Sequence, residues 1–535
     1  MAGGRDVKWP GITLFIASLL SLGTGLVFSV MVARRLALSE YGIWQLYSTV
    51  VMYLILPGYI VDFWLTRDLG RGKPMLNTGL VTSALLGITT SLILVAVSST
   101  FGPAVEVDTP VLLALMLYVI VLCLSNSVYS ASVGAAPELQ SLGMIVQELV
   151  KVLVGVVLVV WLEMGLLGAI LSTDIAFAAK CLAVYVRMPQ GTKGIFDPSK
   201  ALLWFRNGLV PLISLLPNLV APMDLLMLSW ITNSPVAVAY FGLSKTISAI
   251  AGYPGLLGVS LYSSLLGREG EMQVQKSVRL VMTFAFPMAA GMIVLALPIT
   301  YIFGQSYAST ATSLQLLSAA AFFSIVSTLA MTILLGSERV DTKDAPTPRQ
   351  LLKSNLVVPR VAELTIRSAY VLISLVALGL TWGHGSSPEL AVTTLAATNL
   401  LSAITLSLVL WILSKKAYKD FIPWRDVVRY VFATGVMVAL LLLCYPAGAI
   451  DVRISEVIAN LFPIIVTGAI VYFGTLLLID KKFRDEGVEL LKFWQARVMQ
   501  RSQADCPRAG TKMSAASDGN VRRTPLPRAE SQGRI

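Results

Sequence analysis

Between Gly208 and Leu261 two apolar runs flank a short turn at Thr232–Val236. Each run carries one charge near its middle, Asp224 in the first and Lys245 in the second. Either run is long enough to cross a bilayer as a helix, which takes about 20 residues. Measured back from the turn at the helical rise, the two charges lie roughly 10 and 12 Å deep, at nearly the same level. An unpaired charge at that depth costs about 2.5–3.5 kcal/mol on insertion scales. Turning the two toward each other, or toward a shared wet cavity inside a bundle, relieves that cost. This hairpin therefore constrains the rest of the chain.

The remainder repeats the pattern. With 56% apolar and 13% charged residues over 535, the composition is that of a polytopic membrane protein rather than a soluble domain. Hydropathy predicts an all-α integral membrane protein of about fourteen transmembrane helices. They fall near 11–33, 43–66, 79–99, 110–132, 143–165, 167–186, 208–231, 237–262, 280–303, 312–335, 362–382, 390–413, 430–448 and 457–479. The first is read as a retained span, because it is too long for a signal peptide and ends in Ala-Arg-Arg without a cleavage site.

A net charge of +11 suggests nucleic acid only until the basic residues are placed. Of 41 Lys and Arg, only Arg34, Arg35 and Arg453 fall in loops on one side, while Lys151, Lys180, Lys245 and Arg367 lie inside spans. All the others fall on the opposite side, which the positive-inside rule makes cytoplasmic, along with both termini. Nine of the ten Trp sit near expected span ends, as indole rings prefer. The expected location is a cell (inner or plasma) membrane, with no nucleic-acid partner.

VMVARRLALSEYGIW from Val30 can be laid on LMLSWITNSPVAVAY from Leu226, and Leu69-Gly70-Arg71 on Leu266-Gly267-Arg268. This faint repeat predicts two six-helix lobes, 1–200 and 201–427, followed by two extra helices within 428–480. Residues 481–535 read as a surface amphipathic helix, Lys481 to Val498, and a basic disordered tail. Ser337 to Val358 reads as a mobile linker. Inverted or parallel repeats of this kind place a transport path between the halves.

Catalytic and metal chemistry finds little footing. One His, His384 in a loop, and four scattered Cys give neither a zinc spacing nor a disulfide framework. No Walker-type phosphate loop is present, so the chain is expected to hydrolyse no ATP and to need no cofactor.

ARRLALSEYGIWQLYSTVVMYLILPGYIVDFWLTRDLGRG (Ala33 to Gly72), MDLLMLSWITNSPVAVAYFGLSKTISAIAGYPGLLGVSLYSSLLG (Met223 to Gly267), PITYIFGQSYASTATSLQLLSAAAFF (Pro298 to Phe323) and GAIVYFGTLLLIDKKFRDE (Gly468 to Glu486) resemble, in order and spacing, the Wzx-type polysaccharide flippases. That family lies within the multidrug/oligosaccharidyl-lipid/polysaccharide exporter superfamily. The long 336–361 linker and the basic tail depart from the pattern. The resemblance implies a flippase, not an enzyme, that carries a lipid-linked oligosaccharide from the cytoplasmic to the outer leaflet. The path is then a cationic or mixed-charge cavity between two lobes. Membrane lipids and glycan polymerase or glycosyltransferase machinery are the partners it suggests.

Six residues are the candidates for that cavity: Arg34, Arg35, Lys151, Lys180, Asp224 and Lys245. Asp224 and Lys245 serve a pyrophosphate-sugar head and a purely structural ion pair equally well. Glu148 and Lys151 share a helical face and suit either an inner cavity mouth or a helix-end pair. Lys180 suits an anionic headgroup or snorkels inward, and Asp174 lies off its face. Arg34 and Arg35 suit phosphate reception on the outer side or lipid headgroups. Asp62 reads as a local cap or salt-bridge partner. Pro211, Pro217, Pro222 and Pro254 read as kinks, and Gly252, Gly255 and Gly258 as close-packing positions. Rival functions keep the fold with another cargo, as a multidrug/cation antiporter or lipid II flippase, or replace transport by a membrane glycan polymerase or a non-transporting scaffold.

Overall fold

A computed structural model describes residues 8–100, 106–208, 211, 216, 219–220, 222–258, 271–338, 354–355, 357–383, 387–415, 423–444 and 453–485. Among these there is no strand. The helices are α1 (Lys8–Arg35), α2 (Leu38–Leu54), α3 (Gly58–Gly70), α4 (Leu76–Ser98), α5 (Thr109–Ala135), α6 (Glu138–Gly155), α7 (Gly165–Arg187), α8 (Pro198–Arg206), α9 (Met223–Thr232), α10 (Pro235–Ser248), α11 (Glu271–Val294), α12 (Ala296–Phe303), α13 (Ala311–Ser337), α14 (Val358–Thr381), α15 (Pro388–Ser414), α16 (Trp424–Leu443) and α17 (Ile454–Ile479).

Eleven helices among the described residues are long and apolar enough to cross a membrane, twelve if α2 and α3 form one bent span. This is a multi-pass membrane protein. The fourteen expected spans map onto these helices with corrections. The second bends by 57° between α2 and α3, at Pro57. The fifth runs from α6 into a π-helical turn, Val156–Trp161. The eighth passes from α10 into a 3₁₀ segment, Ala249–Gly258, containing Pro254. The ninth breaks at Leu295 between α11 and α12. Of the seventh, Pro222 onward is described with a few residues before it. His384, residues 339–353 and 356 of the 336–361 linker, and the tail beyond 485 lie outside the described residues, so only the first residues of the expected 481–498 helix are seen.

Residues 1–476 form one compact unit and 477–535 another. Within the first, helix pairing repeats. α1 packs on α6, α3 on α5, α4 on α5, α5 on α7 and α6 on α7. Six spans later α9 packs on α14, α10 on α13, α11 on α13, α13 on α15 and α14 on α15. The breaks at Pro57 and Pro254 occupy corresponding places in the two sets. Proline removes a backbone donor and clashes with the preceding turn, so each break is local chemistry reproduced twice.

The α9–α10 turn shows how the sequence sets the central hairpin. Asn233, at φ 47°, takes the left-handed conformation that ends α9. Ser234 then caps α10, its Oγ accepting the Ala237 N–H at 3.3 Å. Pro235 follows at the first helical position, where no N–H is needed.

Candidate functional site

Asp224 and Lys245 form the expected pair. Lys245 Nζ donates to Asp224 Oδ2 at 2.7 Å and to Oδ1 at 2.9 Å. Both sit at helix irregularities. The α-helix restarts at Met223 directly after Pro222, so Asp224 lies in a first turn, where the helix dipole favours a carboxylate. Lys245 lies in the last α-helical turn before the 3₁₀ segment, where the dipole favours a cation. The Leu225 N–H and the Tyr370 hydroxyl also donate to Asp224, at 2.8 and 3.4 Å. The partners differ in exposure. Asp224 is 0% exposed, whereas the Lys245 side chain is 39% exposed. Asp224 is thus a buried counter-ion that aims a lysine into open space.

That space is a cavity of about 370 Å³ between α13, α14 and α15, bordered by Lys245, Arg360, Glu363, Arg367 and Tyr370. Arg360 Nη1 donates to Glu363 Oε2 at 3.0 Å, and Arg367 Nη2 to Glu363 Oε1 at 2.9 Å. Three cations and one carboxylate line the wall, leaving it cationic. A second chamber of about 300 Å³ adjoins it, sharing Lys245 and Asn399. Gly252 and Gly255 line this chamber. A Cβ at Gly252 would meet nothing within 4 Å, and one at Gly255 only Ile325 at 3.8 Å. These glycines therefore open space rather than bring helices together, contrary to the sequence expectation, and Gly258 has no described side. On the other side of the same segment, Ile247 and Ile250 border an apolar chamber of about 380 Å³, completed by α11, α12, α16 and α17.

The first half holds its own polar cluster. Lys151 pairs with Glu148 at 2.8 Å, and the Thr24 hydroxyl donates to Glu148 Oε2 at 3.0 Å. Lys151 also lies 5.4 Å from the Phe28 ring, within cation–π range. The helix-end reading of this pair fails, because Glu148 and Lys151 fall mid-way along the 24-residue helical span Glu138–Trp161. Lys180 Nζ donates to Gln147 Oε1 at 3.1 Å, so Lys151 and Lys180 meet adjacent residues of α6. No spacing along the chain announces this meeting.

Arg34 and Arg35 separate. Arg34 Nε and Nη2 donate to the carbonyls of Ile302 and Tyr301, at 2.7 and 2.9 Å, satisfying the open end of α12. Arg35 makes a 3.7 Å exposed contact with Glu163. Around Arg34 the two halves meet tightly. A Cβ on Gly42 would run into the Pro235 backbone, and one on Gly242 would meet Gln45 at 2.7 Å. The Tyr307 ring lies 5.8 Å from Tyr41 and 6.2 Å from Tyr240. The face holding the α1–α2 turn is closed. Asp62, expected as a cap or ion-pair partner, instead accepts from Ser127 of α5 at 2.7 Å, and Ser127 lies 2.6 Å from Ser83 of α4. It ties three helices together.

Two sets of helices paired alike, with an ion pair at helix breaks, invite comparison with solved transporters. An inward-facing multidrug resistance MATE family transporter of the MOP superfamily aligns with a TM-score of 0.59 at 16% identity, over 77% of this chain and 99% of its own. The lipid II flippase MurJ, in an inward closed conformation, aligns with a TM-score of 0.58 at 13% identity, over 89% of this chain and 99% of its own. This chain has the fold of those transporters. Neither likeness singles out the polysaccharide flippases within that MATE/MurJ-type fold. No family model matches the sequence, and no curated protein matches it.

Sequence reasoning missed the α14 wall of the cavity. Arg360, Glu363, Arg367 and Tyr370 are spaced three, four and three apart, which puts all four on one helical face. That stripe was available to be read.

Proposed function

We propose that this protein is an alternating-access flippase, not an enzyme. Its cargo is a lipid-linked oligosaccharide, a glycan on polyprenyl phosphate or pyrophosphate. It moves that cargo from the cytoplasmic to the outer leaflet of a cell membrane, with both termini cytoplasmic. The observation that carries the reading is the cationic cavity of Lys245, Arg360 and Arg367, set one helix away from an apolar chamber. A phosphate head suits the first and an isoprenoid chain the second. Arginine forks favour phosphate oxygens, whereas a lipophilic cation would meet repulsion there. The cation-antiporter alternative is therefore weaker, while a lipid II flippase remains equally consistent with the chemistry and is named by one of the fold relatives. Lys151 and Lys180 offer a second polar contact in the other half. We assign Arg34 to closing the outer face rather than to receiving phosphate, and Arg35 to the exposed surface. Glycosyltransferase or polymerase machinery would act before and after the step.

The test uses the purified chain in proteoliposomes with a fluorescent polyprenyl-diphosphate disaccharide. The double variant R360A/R367A should bind this probe at least about tenfold more weakly, since each charge-assisted hydrogen bond contributes about 1.5–3 kcal/mol. Uptake of tetraphenylphosphonium by the parent protein, without flipping of the disaccharide, would replace the flippase by the cation transporter. Flipping of lipid II in preference to the disaccharide would choose the other cargo.

A further inference from the structure

The chamber beside Gly252 and Gly255 is left over once phosphate and isoprenoid have been placed. It holds about 300 Å³. That is the small end of the roughly 300–1,000 Å³ typical of ligand sites, room for one ring rather than a chain of them. The two glycines make this room, since neither would bring a Cβ closer than 3.8 Å to any neighbour.

Its hydroxyls share one trait. Ser248 donates to the Lys245 carbonyl at 3.0 Å, Ser324 to that of Ala320 at 2.9 Å, and Thr328 to that of Ser324 at 2.8 Å. A hydroxyl has one proton and two lone pairs. With the proton spent on its own helix, each still offers lone pairs to a ligand. Ser324 and Thr328 stand one turn apart on the same face of α13, and both are exposed. Asn399 adds an amide, both donor and acceptor. Ala249, Leu317, Ala320 and Ile325 supply apolar wall, and no acidic side chain borders the chamber among the described residues. Acceptor oxygens over an apolar floor match a ring that carries several hydroxyl donors and bare C–H faces.

Position completes the match. Lys245, Ser324, Thr328 and Asn399 border this chamber and the cationic one alike, so the two are continuous. A diphosphate on Arg360 and Arg367 would deliver the sugar bonded to it into the space over the glycines. We propose that this chamber is a sugar subsite that takes a neutral, hydroxyl-rich ring in preference to an acidic one. A ring carboxylate would face acceptor oxygens, and would lie beside the diphosphate and beside Asp224, which already holds Lys245. Thr328 and Asn399 read the ring's hydroxyls, and Gly252 and Gly255 set its size. This rests on the flippase reading above and narrows its cargo.

Two readouts tell the subsite from the reading beneath it. The first needs no lipid-linked cargo. The variant A321C, whose position borders the chamber, is made after removal of the native thiols, and its reaction with a small thiol reagent is timed. Methyl glucoside should slow the reaction, and methyl glucuronide at the same concentration should not. G252L fills the chamber and should abolish the protection; a Cβ there meets nothing within 4 Å, so this variant should fold. T328V keeps the volume and removes one acceptor. It should weaken the affinity for the glucoside about two- to tenfold, the worth of one neutral hydrogen bond. No protection by the glucoside, equal protection by the acid, or protection unchanged in both G252L and T328V overturns the subsite whatever the protein transports. The second readout is binding of polyprenyl diphosphate with and without one glucose. The parent should hold the glycosylated carrier about tenfold more tightly, G252L should remove that difference, and R360A/R367A should weaken both carriers alike. Equal binding of the two carriers by the parent overturns the subsite. If neither carrier binds, the phosphate reading falls, and protection of A321C decides on the sugar alone.

Discussion

Replacing Lys245 by alanine is expected to abolish transport and to cost the fold about 3–5 kcal/mol, whereas D224N should stop transport at a much smaller cost in stability. The asymmetry follows from exposure. Without Lys245, a carboxylate that is 0% exposed keeps only the Leu225 N–H and a long contact from Tyr370. Without the Asp224 charge, Lys245 still borders a cavity into which it can hydrate. Because one partner is wet, the cost of K245A should fall toward the lower end of the range. Thermal unfolding in detergent measures both, and the double variant K245A/D224N should be more stable than K245A alone. Equal destabilisation by the two single changes would contradict a buried acid serving an exposed base.

Substituting Gly42 by valine should drive the protein away from the conformation in which the face holding the α1–α2 turn is closed, and stop turnover. The added Cβ runs into the backbone of Pro235, and no side chain can swing aside to receive it. Overpacking of this kind costs about 1–3 kcal/mol, which shifts a two-state balance by about 5- to 150-fold. A cysteine at Tyr240, introduced after removal of the native thiols, should react faster with an impermeant thiol reagent in the G42V background. G25A is the control, because a Cβ there meets nothing within 4 Å. Unchanged labelling in G42V would mean that the α2–α10 contact does not hold this face shut.

Much of this architecture was legible in the sequence because membrane helices obey one dominant rule. A backbone in lipid must satisfy itself, so long apolar runs can only be helices. The Asp224–Lys245 pair was legible for a related reason, since two charges at one depth on adjoining helices have few other places to go. What escaped was whatever depends on three dimensions. Glu148 and Lys151 looked like a helix end because the apolar run begins only at 143, whereas the helix itself starts at Glu138 through polar residues that hydropathy leaves out. Lys180 and Lys151 converge only because α6 and α7 pack side by side. Arg34 looked like a headgroup ligand, but its acceptors are carbonyls some 267 residues away. Asp62 lacked any local sign of the Ser127 hydroxyl that engages it. Gly252 and Gly255, read as packing positions, proved to border a void, while Gly42, unremarked in the sequence, makes one of the two tightest approaches among the described glycines.

The segment that carries Lys245 on one side and Ile247 and Ile250 on the other acts as a measuring bar. A molecule filling both chambers must reach around it, a span of about 10 Å, the diameter of one helix with its side chains. Bare sugar phosphates would have nothing to lay on the greasy side, and short-chain carriers would run out before reaching it. Length, ahead of sugar identity, would then be the first property on which cargoes are sorted.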